Sequence, residues 1–199
     1  MENIIKKSIT TSLTYTEYSK LIQDCVSQQK TTGEEQSEER IEFTKLNASR
    51  MRRLDKMTKL SNETIEAFKN VPKQTWIVIS ESWCGDAAQT LPILNKIVKN
   101  SSSIQLKIVL RDSNLDFMNA FLTNGAQAVP KLIIVDENYD VIDTWGARSK
   151  AATQLVVDYK KEYGKIDAEF KKNLQVWYNK DKGQSIINDL IEITNLVQV

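Results

Sequence analysis

The sequence contains no histidine, and that absence removes a whole class of chemistry. A Ser-His-Asp or Cys-His nucleophile, a histidine general base and the common zinc ligand sets all need an imidazole from the chain. Any nucleophile here must be activated by other means. Cysteine is scarce as well. Cys25 and Cys84 are the two thiols, too few for a disulfide framework, and a reducing compartment would keep both as thiols. Neither sign of charge dominates: 27 basic residues stand against 26 acidic ones, so no global field draws nucleic acid or an anionic membrane. Long apolar runs are missing too. No stretch approaches the ~20 residues of a membrane span, and MENIIKKSITTSLTY carries lysines without the apolar centre of a signal peptide. The expectation is a cytoplasmic protein without nucleic-acid or membrane partners.

The 199 residues suffice for one sizeable domain, or a compact domain with extensions, and for a normal core. Over residues 14–29, Tyr18, Leu21, Ile22 and Cys25 fall at helical spacing on one amphipathic face. Thr31-Thr32-Gly33 breaks that pattern. A second helix is expected over 37–60, with Phe43, Leu46, Leu54 and Met57 as its apolar stripe. A shorter one follows Ser61-Asn62-Glu63, where Ser61 or Asn62 can cap the first turn. The cluster Arg50, Arg52, Arg53, Lys56 and Lys59 reads as a solvated helix face. Acidic residues lie just upstream, and no interleaved aromatics offer base stacking.

From Val71-Pro72 onward, short apolar runs alternate with helical patterns. Strands are expected at 76–79, 104–110, 131–135 and 141–145, with helices at 86–99 and 115–123. The polar turn Asp136-Glu137-Asn138-Tyr139-Asp140 joins the last two strands as a hairpin. This order predicts an α/β core in which helices cover a mixed sheet. After Ser149 the pattern is helical again, interrupted near Gly164 and Gly183; Phe170, Leu174 and Trp177 there read as packing. The expected organisation is a helical extension over 1–70 packed on a core over 71–150, with further helices over 151–199, all in one globular unit.

Chemistry concentrates at Trp83-Cys84-Gly85-Asp86-Ala87, where an apolar strand gives way to a helix. The first N–H groups of a helix are unpaired and its dipole is positive at that end, so a cysteine there is stabilised as thiolate. Asp86 opposes that effect with a nearby negative charge, and the expected lowering of the Cys84 pKa is modest. The bland alternative is a small hydrophobe closing the core. Cys25, on an apolar stripe, reads as a buried structural thiol; the alternative is that its helix folds over the site, where it could pair with Cys84 once their Cα atoms come within ~7 Å.

Taken in order, these residues resemble the thioredoxin superfamily. A strand runs into Trp83-Cys84-Gly85, similar to that family's WCGPC segment. Pro92 falls where its active-site helix carries a kinking proline, and Val129-Pro130 precedes a strand as its cis-proline loop does. Trp145-Gly146-Ala147-Arg148-Ser149-Lys150 follows the final hairpin, where the family has a glycine leading into its last helix. The resemblance spans about eighty residues and implies a three-layer α/β/α thioredoxin-like core with a mixed sheet, plus N- and C-terminal helical extensions. It implies a catalytic Cys84, with Trp83, Val129 and Pro130 binding substrate: Val129 would expose backbone to an extended substrate strand beside the thiol. It implies thiol or disulfide partners, protein or small-molecule, and no resident cofactor or metal, with reduction supplied from outside.

Three departures from the family pattern shape the expected activity. Ala87 replaces the resolving cysteine, and a methyl group cannot attack a mixed disulfide. Val78 stands where thioredoxins bury an aspartate that serves the resolving thiol, so the two losses are coherent. Lys131 follows Pro130 where a small polar residue is usual, and its charge either favours anionic partners or is simply solvated. The leading expectation is therefore a monothiol thiol-disulfide oxidoreductase. Its rival is a thioredoxin-fold binding or scaffold protein with reduced catalysis. Glutathione-assisted iron–sulfur carriage is a weaker third reading, because Gly85-Asp86-Ala87 lacks the residues usual in that group.

Overall fold

A computed structural model describes residues 1–197. The chain begins with α1 (Glu2–Thr10), which buries Ile5 and was not foreseen in the sequence, and α2 (Tyr15–Ser27). Thr14 starts α2 with a capping box: its hydroxyl accepts from Glu17 N at 3.2 Å, and the Glu17 carboxylate accepts from Thr14 N at 2.7 Å. Helix α3 (Glu38–Met57) and α4 (Asn62–Lys69) follow, the latter capped by Ser61. The α/β centre runs β1 (Gln74–Ser80), α5 (Gly85–Val98), β2 (Ile104–Leu110), α6 (Leu115–Ala120), β3 (Lys131–Val135) and β4 (Val141–Gly146). Three helices complete the chain: α7 (Lys150–Tyr163), α8 (Ala168–Asp181) and α9 (Gln184–Val197).

The four strands lie in the order β2-β1-β3-β4, with β1 parallel to β2 and the other two pairings antiparallel. Helices cover both sides of this mixed sheet, as the sequence leads one to expect. Central strands buried on both faces must be apolar throughout, and Trp76 to Ile79 and Leu132 to Val135 are all buried. The N-terminal segment also closes the open edge of the sheet. Leu13 and Ile108 exchange backbone hydrogen bonds of 2.7 and 2.8 Å, so the outer side of β2 carries a short antiparallel bridge.

The stripe assigned to the second helix is corrected by the structure. Phe43, Leu46 and Met57 are exposed, Met57 to 71%, whereas Thr44, Asn47, Ala48, Met51 and Leu54 face inward. The buried face is partly polar because it meets the loop between β1 and α5, whose own polar groups need partners. Ser82 Oγ lies 2.9 Å from Thr44 Oγ1 and 3.0 Å from Thr31 Oγ1, and Asn47 Nδ2 donates to the Ser82 carbonyl at 2.8 Å. Glu81, fully buried, accepts from Thr32 Oγ1 and from Asp112 N. Such a network specifies one docking of α3 when every member is satisfied. It fixes the N-terminal helices to the chain immediately before Cys84.

At the other end, α9 buries Ile186, Ile187 and Leu190 in the main core. Helix α8 differs: Phe170, Leu174 and Tyr178 form a small separate cluster with Ala152 and Val156 of α7. Glycines at positive φ, Gly164 and Gly183, lie on either side of it.

Candidate functional site at the start of helix α5

Cys84 occupies the N-cap of α5, and its Sγ accepts from Ala87 N at 3.4 Å. Across the loop, the Val129–Pro130 peptide is cis, and the Cys84 thiol donates to the Val129 carbonyl at 3.2 Å. Val129 and Pro130 are buried, and Cys84 itself is 8% exposed. Gly146 completes this corner. Its φ is +120°, and a Cβ there would overlap the Pro130 carbonyl, so the end of β4 closes on the proline loop only with glycine.

The expected lowering of the Cys84 pKa is overturned. Burial pushes the thiol up to about 12 and Asp86 adds to the shift, while the amides of Ala87 and Asp86 and the charge of Arg148 pull it down less strongly. The helix-end effect is present and loses to desolvation. In the resting structure the group is a thiol, consistent with its donating to a carbonyl.

Asp86 is drawn inward. Arg148 holds its carboxylate in an ion pair of 2.6 Å, and the Tyr178 hydroxyl of α8 donates to it at 2.9 Å. Burial raises the Asp86 pKa against both partners. Burial also opposes the charge on Arg148, but Asp86, Tyr178 and Cys84 together outweigh it and raise that pKa. Gln89 of α5 donates to Gln175 of α8 at 2.9 Å, so α8 is held against the first turns of α5 by polar contacts.

Trp83 is half-buried between two guanidinium groups. Arg40 of α3 lies 4.3 Å from the ring centroid and Arg111, just after β2, lies 4.8 Å away. Both arginines are held by acids, Arg40 by Glu35 at 2.8 Å and Arg111 by Asp112 at 2.7 Å. The tryptophan that resembles a docking residue is therefore clamped by the molecule's own cations.

Three further positions can be placed. Val78 lies in the apolar core at the sheet centre. Lys131 is 7% exposed, and burial lowers its pKa against the pull of Asp143. It is thus not freely solvated, because β3 carries it between β1 and β4. Cys25 is a buried free thiol on α2, with its pKa raised by burial and then by Asp24.

The structure brings Trp83, Cys84, Val129 and Pro130 to one corner. Sequence reasoning missed Arg148, Tyr178, Gln175, Arg50 and the Arg40–Arg111 clamp. Arg148 carried a weak signal in its place after the glycine of the last hairpin. Tyr178 and Gln175 carried none, since they reach α5 from more than eighty residues away.

A thioredoxin family model matches residues 33–164, well over half of the chain. The chain belongs to the thioredoxin family. Among solved structures, this thioredoxin-fold chain is similar to a protein of unknown function from Pseudomonas aeruginosa. That pair has 18% identity and a TM-score of 0.57, with 91% of this chain and 96% of the other covered. An HIV epitope-scaffold matches at 15% identity and a TM-score of 0.56, covering 91% and 97%. At such identities the likeness is one of fold. No curated protein matches. Among the described residues, no helix is long and apolar enough to cross a membrane, and no group of three or more Cys, Asp or Glu is arranged to hold a metal ion.

Proposed function

We propose that this thioredoxin-family protein performs thiol-disulfide exchange through Cys84 alone. The observation that carries the reading is the contact of Cys84 Sγ with the Val129 carbonyl at 3.2 Å, which sets the one thiol of the helix end against the proline loop. The thiol first loses its proton to solvent. The thiolate then attacks one sulfur of a disulfide: a new S–S bond forms, the old one breaks, and the departing thiolate takes up a proton. With Ala87 in place of a second cysteine, a thiol from outside attacks the substrate sulfur of the mixed disulfide. Cys84 leaves as thiolate and is reprotonated. Trp83, Val129 and Pro130 flank the reacting sulfur, and partners are protein or small-molecule thiols and disulfides.

The resting site is closed, since Cys84 is 8% exposed and burial pushes its pKa up to about 12, so the neutral thiol predominates at pH 7. Exchange therefore proceeds from a state in which Cys84 is hydrated. The same burial favours a second reading, a thioredoxin-fold binding protein whose thiol is retired. Turnover separates the two. Reduction of 2-hydroxyethyl disulfide, followed with varied external thiol, gives a rate above the uncatalysed one that rises with that thiol, and Cys84→Ser falls back to the uncatalysed rate. A rate equal to the uncatalysed one at every thiol concentration supports the binding protein.

A further inference from the structure

Arg50 belongs to the basic cluster of α3 that reads as a solvated face, yet its side chain does not lie in solvent. It is half-buried, and its one hydrogen bond among the described residues runs from Nη1 to the neutral Asn47 Oδ1 at 2.8 Å. None of the ion pairs among the described residues includes it. Burial lowers its pKa, the neighbouring Arg53 cation lowers it further, and the charge of Asp86 opposes both without a direct contact.

The place it reaches is over Gly85, the residue that follows Cys84. Arg50 Nη1 and Gln175 Nε2 each lie 3.3 Å from the point where a Cβ on Gly85 would sit. A guanidinium nitrogen from α3 and a carboxamide nitrogen from α8 thus converge over a residue with no side chain. Gln175 is oriented by Gln89, whose Nε2 donates to its Oε1, so the Gln175 Nε2 faces the niche with no acceptor among the described residues. Asp86 does not fill that role, because its carboxylate is taken by Arg148 and Tyr178. Arg148 pairs with the Asp86 carboxylate and Arg50 feels it at longer range, so these three side chains together carry one positive charge.

We propose that Arg50 and Gln175 form a carboxylate subsite over Gly85, which anchors an anionic thiol or disulfide while its sulfur meets Cys84. One guanidinium and one neutral amide match a singly charged, two-oxygen acceptor through charge-assisted hydrogen bonds. A phosphate dianion would leave half its charge uncompensated there. Any side chain at position 85 would press against both donors, so glycine there leaves them free to reach a ligand. The substrate class named here rests on the thiol reading of Cys84, whereas the subsite itself does not.

The test uses the full-length ¹⁵N-labelled protein and probes that carry a thioether in place of a reactive sulfur. 3-(Methylthio)propanoate is expected to bind saturably with a Kd of about 1–10 mM, shifting the Gly85 amide and the Gln175 side-chain amide. 3-(Methylthio)propanol, 3-(methylthio)propylamine and inorganic phosphate are expected to bind at least about tenfold more weakly, a difference of ~1.4 kcal/mol. Arg50→Gln and, separately, Gln175→Ala each weaken the carboxylate, with folding of both checked by circular dichroism; Arg50→Lys restores part of the loss. The proposal is overturned if the carboxylate gives no saturable shift at Gly85 and Gln175. It is equally overturned if the alcohol or phosphate binds as well, or if both substitutions leave affinity unchanged. Carboxylate binding in a protein whose Cys84 never exchanges disulfides would keep the subsite and remove the thiol reading.

Discussion

At Cys84 the free N–H groups of α5 favour the thiolate, while burial and Asp86 favour the thiol and prevail. The consequence for stability has a definite sign. The folded pKa lies above the ordinary value of 9.0, so the unfolded chain loses this proton first as pH rises. The contribution of Cys84 is fully present below about pH 9 and declines from there to about pH 12, by at most ~1.4 kcal/mol per pH unit. Denaturant melts of the native protein and Cys84→Ala between pH 7 and 10.5 check this: the native protein loses stability faster above pH 9. Asp86→Asn removes the second cause of the shift. It is expected to lower the Cys84 pKa and speed iodoacetamide labelling at pH 8. It also leaves Arg148 without its acid, and because that side chain keeps 30% exposure, the loss is about 2 kcal/mol, below the ~3–5 for a fully buried pair. Residue chemistry was half legible in the sequence. The helix-end thiol and the opposing Asp86 follow from local spacing, but burial depends on Tyr178, Arg148 and α3, which no local pattern brings to Cys84.

Helix α8 is the element we expect to open the site. Its apolar residues pack with α7 in a cluster separate from the main core, and it meets α5 through Tyr178–Asp86 and Gln175–Gln89. Segments held by few apolar contacts open with lower free energy than core elements. Tyr178→Phe removes one hydrogen bond to a carboxylate, worth about 1–2 kcal/mol, and raises the open population roughly 5- to 30-fold. Hydrogen exchange in α8 and labelling of Cys84 should both quicken by that order, with exchange in β1 and β3 much less affected. Labelling that stays at the native rate while α8 exchanges faster would show that α8 does not control access. The elements were largely readable from apolar periodicity: β2 and β3 begin and end where their runs do. The α3 stripe was misassigned because its inward face binds a buried polar network around Ser82, which hydropathy reads as solvent-facing. Helix α1 escaped notice because its lysines mask the buried Ile5.

Across the whole molecule, the thioredoxin match at residues 33–164 and the packed core do not coincide. Ile5, Tyr18 and Ile22 from one end and Ile186, Ile187 and Leu190 from the other belong to the same apolar cluster as β1 and β3. Flanking helices also enclose the site: α3, within the matched stretch, brings Arg40 to Trp83 and Arg50 to Gly85, and α8, beyond it, brings Tyr178 to Asp86. The α/β order was legible because strand and helix periods alternate cleanly from residue 71. How the flanking helices dock was not, because polar contacts over such sequence separations leave no periodic trace. The central claim is that one thiol, Cys84, captures disulfides in the folded chain. Intact-mass analysis with peptide mapping, after the native protein meets oxidised glutathione at pH 8, tests it most directly. The account predicts one glutathione per chain, mapped to Cys84 rather than Cys25, released by a small thiol and absent in Cys84→Ser. No adduct in the folded protein, or an adduct that persists in Cys84→Ser, would contradict it.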